Sequence, residues 1–329
     1  MKESITTTAR HRLLTLEHMV GRRVKGCNEQ LRIIIGCLIQ GLHVDLLGPP
    51  GVGKTLTMLT LRDCLRGATA NRIQFTPDLM PADIMGTSLY DERTHSFEIK
   101  TGPIVANIVL ADEINRTPPR TQSALLEAMQ DRTVTITGIV NQTITLPDPF
   151  FVIATQNPIE QEGTYPLPEA QEDRFGARVV LPMIFGDDLC DAIAGTAAAE
   201  IREVLHINDV PKIRRLIASS VHCSREAVRY AAEIVTNTHP CHNKAMAKFV
   251  TTGVSIRAGQ AMLKLACYLA FLKGKDHVSG AEIKSVAPCC LRHRLYLLGE
   301  HVSGDTSAVA DEAIADVLSR QTCVIGLED

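Results

Sequence analysis

The chain of 329 residues has no tryptophan, and aromatic residues make up only 4% of it. That scarcity disfavours the base-stacking platforms on which single-strand-binding proteins rely. No excess of charge is present either, since 34 lysines and arginines stand against 37 aspartates and glutamates, a formal net charge of −3. The chain as a whole therefore has no electrostatic drive toward nucleic acid or an anionic membrane. Long apolar runs are missing too: a bilayer crossing needs roughly 18 such residues, and the longest candidate, Ala261 to Leu272, is interrupted by Lys264. The ten cysteines form no CxxC pair, and the N-terminal segment lacks the apolar stretch of a signal peptide, so the expected setting is cytoplasmic, with free thiols. What the chain does have is 45% apolar residues, enough to bury one or two cores without staples.

From Gly41 to about Met183, short apolar runs alternate with helical patterns, which predicts a parallel sheet covered by helices, an α/β fold. The runs are His43 to Leu47, Arg72 to Phe75, Asn107 to Asp112, Phe150 to Thr155 and Arg178 to Pro182. Between them, a helix should open after Thr117 and Pro118, with Thr117 as cap, carry Leu125, Leu126 and Met129 on one face, and end near Gln130. Two segments alternate with period two between turn residues and read as hairpins, Thr87 to Pro103 and Thr133 to Pro149; in the second, Val134 and Ile136 would face Ile144 and Leu146. Beyond Met183 the pattern is helical only. An alanine-rich connector spans Asp191 to Val204, and a helix follows Ser224 with Ala227, Val228, Ala231, Ile234 and Val235 at core spacing. A long helix runs from Ile256 to Leu272, and a capping box at Ser279 and Glu282 opens another that should stop before Pro288. One more helix is expected in the tail. These patterns divide the chain at residues 1–204, the sheet-bearing core, and 205–329, an all-helical domain.

The strongest local signal is GPPGVGKT, which is Gly48, Pro49, Pro50, Gly51, Val52, Gly53, Lys54 and Thr55, with Leu56 opening the next helix. It satisfies G-x-x-x-x-G-K-S/T immediately after a predicted strand and before a predicted helix, the context that a phosphate-binding loop requires. Backbone N–H groups turn toward the phosphates there, Lys54 reaches the β and γ oxygens, and Thr55 is placed to ligate Mg²⁺. Such a loop needs a carboxylate at the end of a neighbouring strand to hold the metal, and Asp112 stands at that point. Glu113, next to it, is the candidate general base for the attacking water. No NKxD motif follows, which argues against guanine. Asn157, just past another strand, is placed to orient the water, although an Asn-Pro pair also makes a turn, and spacing alone leaves both roles open. The His239, Cys241, His242 cluster lacks the fourth ligand and spacing of a structural zinc site and reads as a turn at Pro240. The adjacent Cys289 and Cys290 read as core packing.

With these residues assembled, the chain resembles the AAA+ ATPases, and within them closely resembles the MoxR family. The resemblance is carried by RIQFTPDLMPADIMGT, LADEINRTPPRTQSALLEAMQDRTVTI, PFFVIATQNPIEQEGTYPLPEAQEDRF and VAPCCLRHRL, which with the phosphate loop cover most of Gly41 to Leu295. It implies a P-loop AAA+ core with a helix 2 insert and a pre-sensor 1 hairpin, followed by an all-α lid. It also implies that Asn157 takes the sensor 1 position and that Arg174 is an arginine finger reaching the γ-phosphate of a neighbouring subunit. Arg257 would be sensor 2, in a hexameric ring. The chain departs from the family at Glu172, usually leucine, and at Ile256, usually proline; Glu172 adds an acid able to pair with the finger.

The same resemblance implies ATP hydrolysis with Mg²⁺ and remodelling of a protein client, together with a separate partner carrying a von Willebrand factor A domain. A second reading is a nucleic-acid motor of the helix 2 insert class. Against it, the first hairpin holds Asp91, Glu92 and Glu98 beside Arg93 and Lys100, and the second has only Arg132 near its start, too little positive charge to neutralise several phosphates. A third, a scaffold that binds nucleotide without turnover, fits poorly with paired acids at 112 and 113.

Overall fold

The computed structural model describes residues 2–49, 51–93, 95–136, 141–156, 164–194, 200–299 and 306–320. In chain order the first elements are α1 (Lys2–Arg23), α2 (Asn28–Gln40), β1 (Val44–Leu47), α3 (Lys54–Cys64), β2 (Leu65–Arg66), β3 (Ala70–Gln74) and α4 (Pro81–Met85). Next come β4 (Gly86–Asp91), β5 (Ser96–Thr101), β6 (Ile108–Asp112), α5 (Pro119–Asp131), β7 (Thr133–Ile136), β8 (Gln142–Thr145), β9 (Phe151–Gln156), α6 (Glu169–Glu172), β10 (Ala177–Val180) and α7 (Gly186–Ile193). The remainder is β11 (Leu205–His206), α8 (Val210–Ser220), α9 (Arg225–Asn237), β12 (Val250–Thr252), α10 (Ile256–Leu272), α11 (Gly280–Leu291), β13 (Tyr296–Leu297) and α12 (Thr306–Ser319).

The five expected strands form one parallel sheet in the order β10-β1-β9-β6-β3. The three inner strands, β1, β9 and β6, are buried on both faces, whereas the edge strand β3 exposes Arg72 and Gln74; alternate residues divide between two cores, as a pleated strand requires. Ile108 and Leu110 of β6 and Phe151 and Ile153 of β9 face one core with α1, α2, α3 and the C-terminal helices. Val109, Ala111, Val152 and Ala154 face the other, with Leu125, Leu126 and Met129 of α5. Because β9 lies between β1 and β6, the C-terminal ends of these three strands come together, at the edge where open α/β sheets bind ligands.

Both hairpins form, β4 with β5 and β7 with β8. In the second, Val134 faces Ile144 as expected, whereas Ile136 faces Gln142, because Leu146 lies beyond the strand with its N–H bonded to Arg132 O. In α5 the first helical residue is Pro119; the Thr117 hydroxyl donates to Thr76 O rather than capping the helix.

The helical part is organised around α10, whose boundaries match the expected ones and which buries ten residues against α2, α8, α9 and α11. Its junction with α2 is close. A Cβ at Gly36 would lie 2.8 Å from the Tyr268 ring, so only glycine allows this approach, and the Tyr268 hydroxyl reaches Glu17 of α1 at 2.9 Å. The capping box at Ser279 and Glu282 is present, but α11 does not stop at Pro288; it continues to Leu291. The proline removes one N–H, worth about 3 kcal/mol with its ring clash, and the burial of Cys290 and Leu291 beyond it holds the last turn. On α9, Val228 is 45% exposed, off the buried stripe of Ala227, Tyr230, Ala231 and Ile234.

Candidate functional site

The phosphate loop leaves β1 and enters α3 through Gly51 and Gly53, at φ of 85° and 88°, a left-handed conformation that glycine adopts without penalty. With the α3 N-terminus, this loop forms one wall of a cavity of about 490 Å³ lined by Gly51, Gly53, Lys54, Thr55, Leu56, Asp112 and Glu113. Residues that the sequence placed in two motifs thus share one space. Lys54 Nζ donates to Gly48 O at 2.9 Å, inside the loop that it would leave to reach a phosphate. Burial lowers the Lys54 pKa, and the carboxylates of Asp112, Glu113 and Asp45 work against that. Gly48, Pro49 and Val52 belong to the same turn; Pro50 lies outside the described residues.

The acidic pair ends β6. Asp112 is nearly buried, and its two oxygens are held differently: Oδ1 accepts from the Thr155 hydroxyl of β9 at 2.6 Å, and Oδ2 from Arg72 Nε of β3 at 3.1 Å. Glu113 adopts φ 56° and ψ 48°, a strained conformation for a residue with a side chain, of the sort that surrounding structure must over-determine. What fixes it is visible. Its N–H donates to Thr155 Oγ1 at 2.9 Å, so one hydroxyl supports both acids. Glu113 Oε2 accepts from Gln74 Nε2 at 3.0 Å and lies 3.1 Å from Arg116 Nε.

Arg72, Gln74 and Thr155 were not singled out from the sequence. A signal existed: Arg72 and Gln74 are two apart on a strand and so share a face, and Gln74 pairs in register with Asp112. Asn157 follows β9 but lies outside the described residues.

Neither Arg174 nor Arg257 lines this cavity. Arg174 sits in the turn between α6 and β10; among the described residues its buried Nε has no hydrogen-bond partner. Glu172 does not pair with it. The Glu172 carboxylate meets Arg178 Nη2 at 2.6 Å, and Arg178 also holds the buried Asp45 at 2.7 Å. Burial raises the Glu172 pKa, and Arg178 pulls the other way. Arg257, exposed at the start of α10, lies 3.5 Å from Asp173 Oδ2. Behind that turn, Arg292, His293 and Arg294 at the end of α11 bond to residues 173–178. His239 bonds Val254 O within the turn at Pro240, and among the described residues no cluster of histidine, cysteine and acids is arranged to hold a metal.

Two family models match: the ATPase family associated with various cellular activities (AAA) over residues 43–177, and the AAA lid domain over 243–315. Fold and site therefore define an AAA+ ATPase with its lid. The Mycobacterium tuberculosis protein Chaperone MoxR1 is 40% identical over 282 residues, covering 84% of this chain and 73% of its own. The uncharacterised protein YeaC of Bacillus subtilis is also 40% identical, over 91% of this chain and 90% of its own. A crystal structure from Cytophaga hutchinsonii, provisionally described as an ATPase, superposes with a TM-score of 0.87 at 34% identity, covering 98% of both chains. The chain belongs to the MoxR family of AAA+ ATPases.

Proposed function

We propose that this chain binds and hydrolyses ATP and uses the cycle to remodel a protein client. The observation that carries this reading is the convergence of Lys54, Thr55, Asp112 and Glu113 on one cavity. Loop N–H groups, the α3 N-terminus and Lys54 hold the phosphates, and Glu113 takes the proton of the attacking water. The hydroxyl of Thr55 and the carboxylate of Asp112 are hard oxygen donors and fit Mg²⁺, which when bound neutralises charge on the phosphate oxygens. Asn157 orients the water as sensor 1.

Arg174 as finger and Arg257 as sensor 2 complete the site in a ring, which we take to be hexameric, with residues 1–204 as core and 205–329 as lid. Two observations support this: among the described residues Arg174 has a buried Nε without a partner, away from its own cavity, and α7 buries no residue while Leu189 and Ile193, with Met183 and Phe185 before it, face outward. Exposed apolar surface of this kind marks contact sites. The β4–β5 hairpin exposes Leu89, Tyr90 and Phe97, a surface suited to a protein client rather than to a phosphate backbone. A von Willebrand factor A domain partner and a cytoplasmic setting belong to the same reading. Among the described residues, no helix is long and apolar enough to cross a membrane.

The test is the ATPase rate per subunit across a wide range of protein concentration, repeated with Arg174→Ala. A rate that climbs with concentration, and a flat, slow Arg174→Ala protein, support a shared site. A rate independent of concentration, unchanged by the substitution while assembly changes, sinks it. DNA-stimulated turnover favours the nucleic-acid motor instead.

A further inference from the structure

Residues 173–176 belong to no helix or strand; they join α6 to β10 and carry Arg174. One buried arginine from the lid holds them. Arg294, 2% exposed, lies 121 positions away and uses all five of its N–H groups. Nε donates to Asp173 Oδ1 at 2.8 Å and Nη2 to the carbonyls of Asp173 and Phe175. Nη1 donates to the carbonyls of Gly176 and, in the last turn of α11 just before it, Cys290. Four of the five bonds thus go to the residues on either side of Arg174, and His293 Nε2 adds a fifth bond from the lid, to Phe175 O at 2.9 Å.

The start of α10 reaches the same acid: Ser255 Oγ donates to Asp173 Oδ1 at 2.7 Å, and Arg257 lies 3.5 Å from Oδ2. Two ends of the lid therefore converge on the residue preceding the finger. Among the described residues, the buried Nε of Arg174 itself has no hydrogen-bond partner. A planar guanidinium that holds the carbonyls of Asp173, Phe175 and Gly176 and the Asp173 carboxylate grips the chain on both sides of Arg174 at once, and so transmits displacement to it.

We propose that Arg294 is the positioning residue for Arg174, the link through which the lid of one subunit sets the finger presented to the next. This rests on the finger reading above. A lid that moves with the nucleotide held in its own subunit carries residues 173–176 with it, and the consequence is felt in the neighbouring site.

The test uses full-length protein in mixed assemblies. Arg294→Lys keeps the charge but loses the fork; Asp173→Asn alters the acceptor and leaves the lid intact, and carries the test if Arg294→Lys does not fold by circular dichroism. Each is assayed alone, for binding of a fluorescent ATP analogue, and mixed with Glu113→Gln subunits, which lack their own base but present an intact finger. Arg174→Ala mixed with Glu113→Gln is the control. The expected result is unchanged analogue affinity, turnover about a hundredfold lower alone, the scale of a small misplacement, and recovery on mixing that matches the control. Recovery in the control without recovery for Arg294→Lys or Asp173→Asn places Arg294 in the service of its own site and overturns the proposal. So does lost analogue affinity, or turnover equal to the parent's. Failure of the control pair to recover instead removes the finger reading, and the proposal with it.

Discussion

The two halves of the candidate site are built on opposite plans. The phosphate half, from Gly48 to Leu56 with Asp112 and Glu113, is written into short stretches of sequence, and its side chains rest on interim partners: Lys54 on Gly48 O, Asp112 on Arg72, Glu113 on Gln74. Those partners are exchangeable, since Arg72 is half exposed and Lys54 is held by a single bond. The finger half, residues 173–178, is gripped by Arg292, His293 and Arg294 from the far end of the lid, and its key guanidinium is saturated and buried. The contrast teaches where rearrangement is cheap. On the proposed reading, arriving phosphates and metal would exchange these few bonds in the first half, whereas the second would move with the lid that grips it.

The comparison breaks at its strongest point if the phosphate half is not where chemistry occurs. Glu113→Gln removes the proposed base while preserving size and the contact with Gln74; turnover should fall on the order of a thousandfold, with analogue binding retained. Lys54→Ala should instead lose binding. Steady-state turnover and fluorescent-nucleotide titration separate the two. Equal loss of binding in both variants would show that Glu113 shapes the pocket rather than the reaction.

Acid should discriminate between the halves, because the latch contains a neutral histidine and the phosphate cavity contains none. Burial, then Arg294 and Arg178, push the His293 pKa well below its ordinary value, and burial, then Arg132, push His43 down to about 3. Both folded states bind fewer protons than the unfolded chain, so their contribution is full above the unfolded value near 6.5 and is lost as pH falls from there. Each histidine costs about 1.4 kcal/mol per pH unit in that interval. Thermal melts between pH 7 and pH 5 should therefore fall, and His293→Gln, which keeps a donor for Phe175 O, should give a shallower slope. An identical slope would exclude His293 as a titrating part of the latch.

Thr155→Val tests the support shared by the two acids. Its hydroxyl donates to Asp112 and accepts from the Glu113 N–H, and its loss leaves a buried carboxylate oxygen and a strained residue without their partner. A destabilisation of about 1–3 kcal/mol, measured by denaturant unfolding, should accompany reduced turnover. A change within error would mean that the Glu113 conformation is set elsewhere.

How much of this was legible in the sequence follows from the same contrast. All five sheet strands were, because buried parallel strands read as apolar runs, and the hairpins were, because alternation and turn residues coincide. The phosphate loop was legible since its backbone conformation is coded by glycines at fixed spacing, Gly48, Gly51 and Gly53. Helix α11 overran its predicted stop because burial of Cys290 and Leu291 outweighs one missing N–H, and Val228 lies outside because an apolar residue beside a stripe is indistinguishable from one on it until the partners are known. Glu172 looked able to trap the finger, and the trap is closed by Arg178 instead. Arg294 stood in plain view within LRHRL, yet four of its five acceptors, the Asp173 carboxylate and three backbone carbonyls, lie more than a hundred residues away, and no local pattern encodes such a contact.

The smallest expected effect concerns Arg72, whose guanidinium sits on the Asp112 oxygen that the proposed Mg²⁺ would use. Its guanidinium donates to the same Asp112 oxygen through Nε at 3.1 Å and through Nη2, and half of its side chain faces solvent. With the arginine side of the pair open to solvent and only Asp112 buried, screening discounts it to on the order of 1 kcal/mol. Arg72→Ala should accordingly leave stability nearly unchanged and free an oxygen that Mg²⁺ would otherwise share with the guanidinium. The Mg²⁺ concentration needed for half-maximal analogue binding should then fall, by about fivefold at most, and the difference should shrink in high salt, which screens the pair before it screens a directly coordinated ion. An increase in the Mg²⁺ requirement would carry the opposite meaning: Arg72 then holds Asp112 in the orientation that the metal needs, and the partners of the phosphate half are scaffolding rather than placeholders.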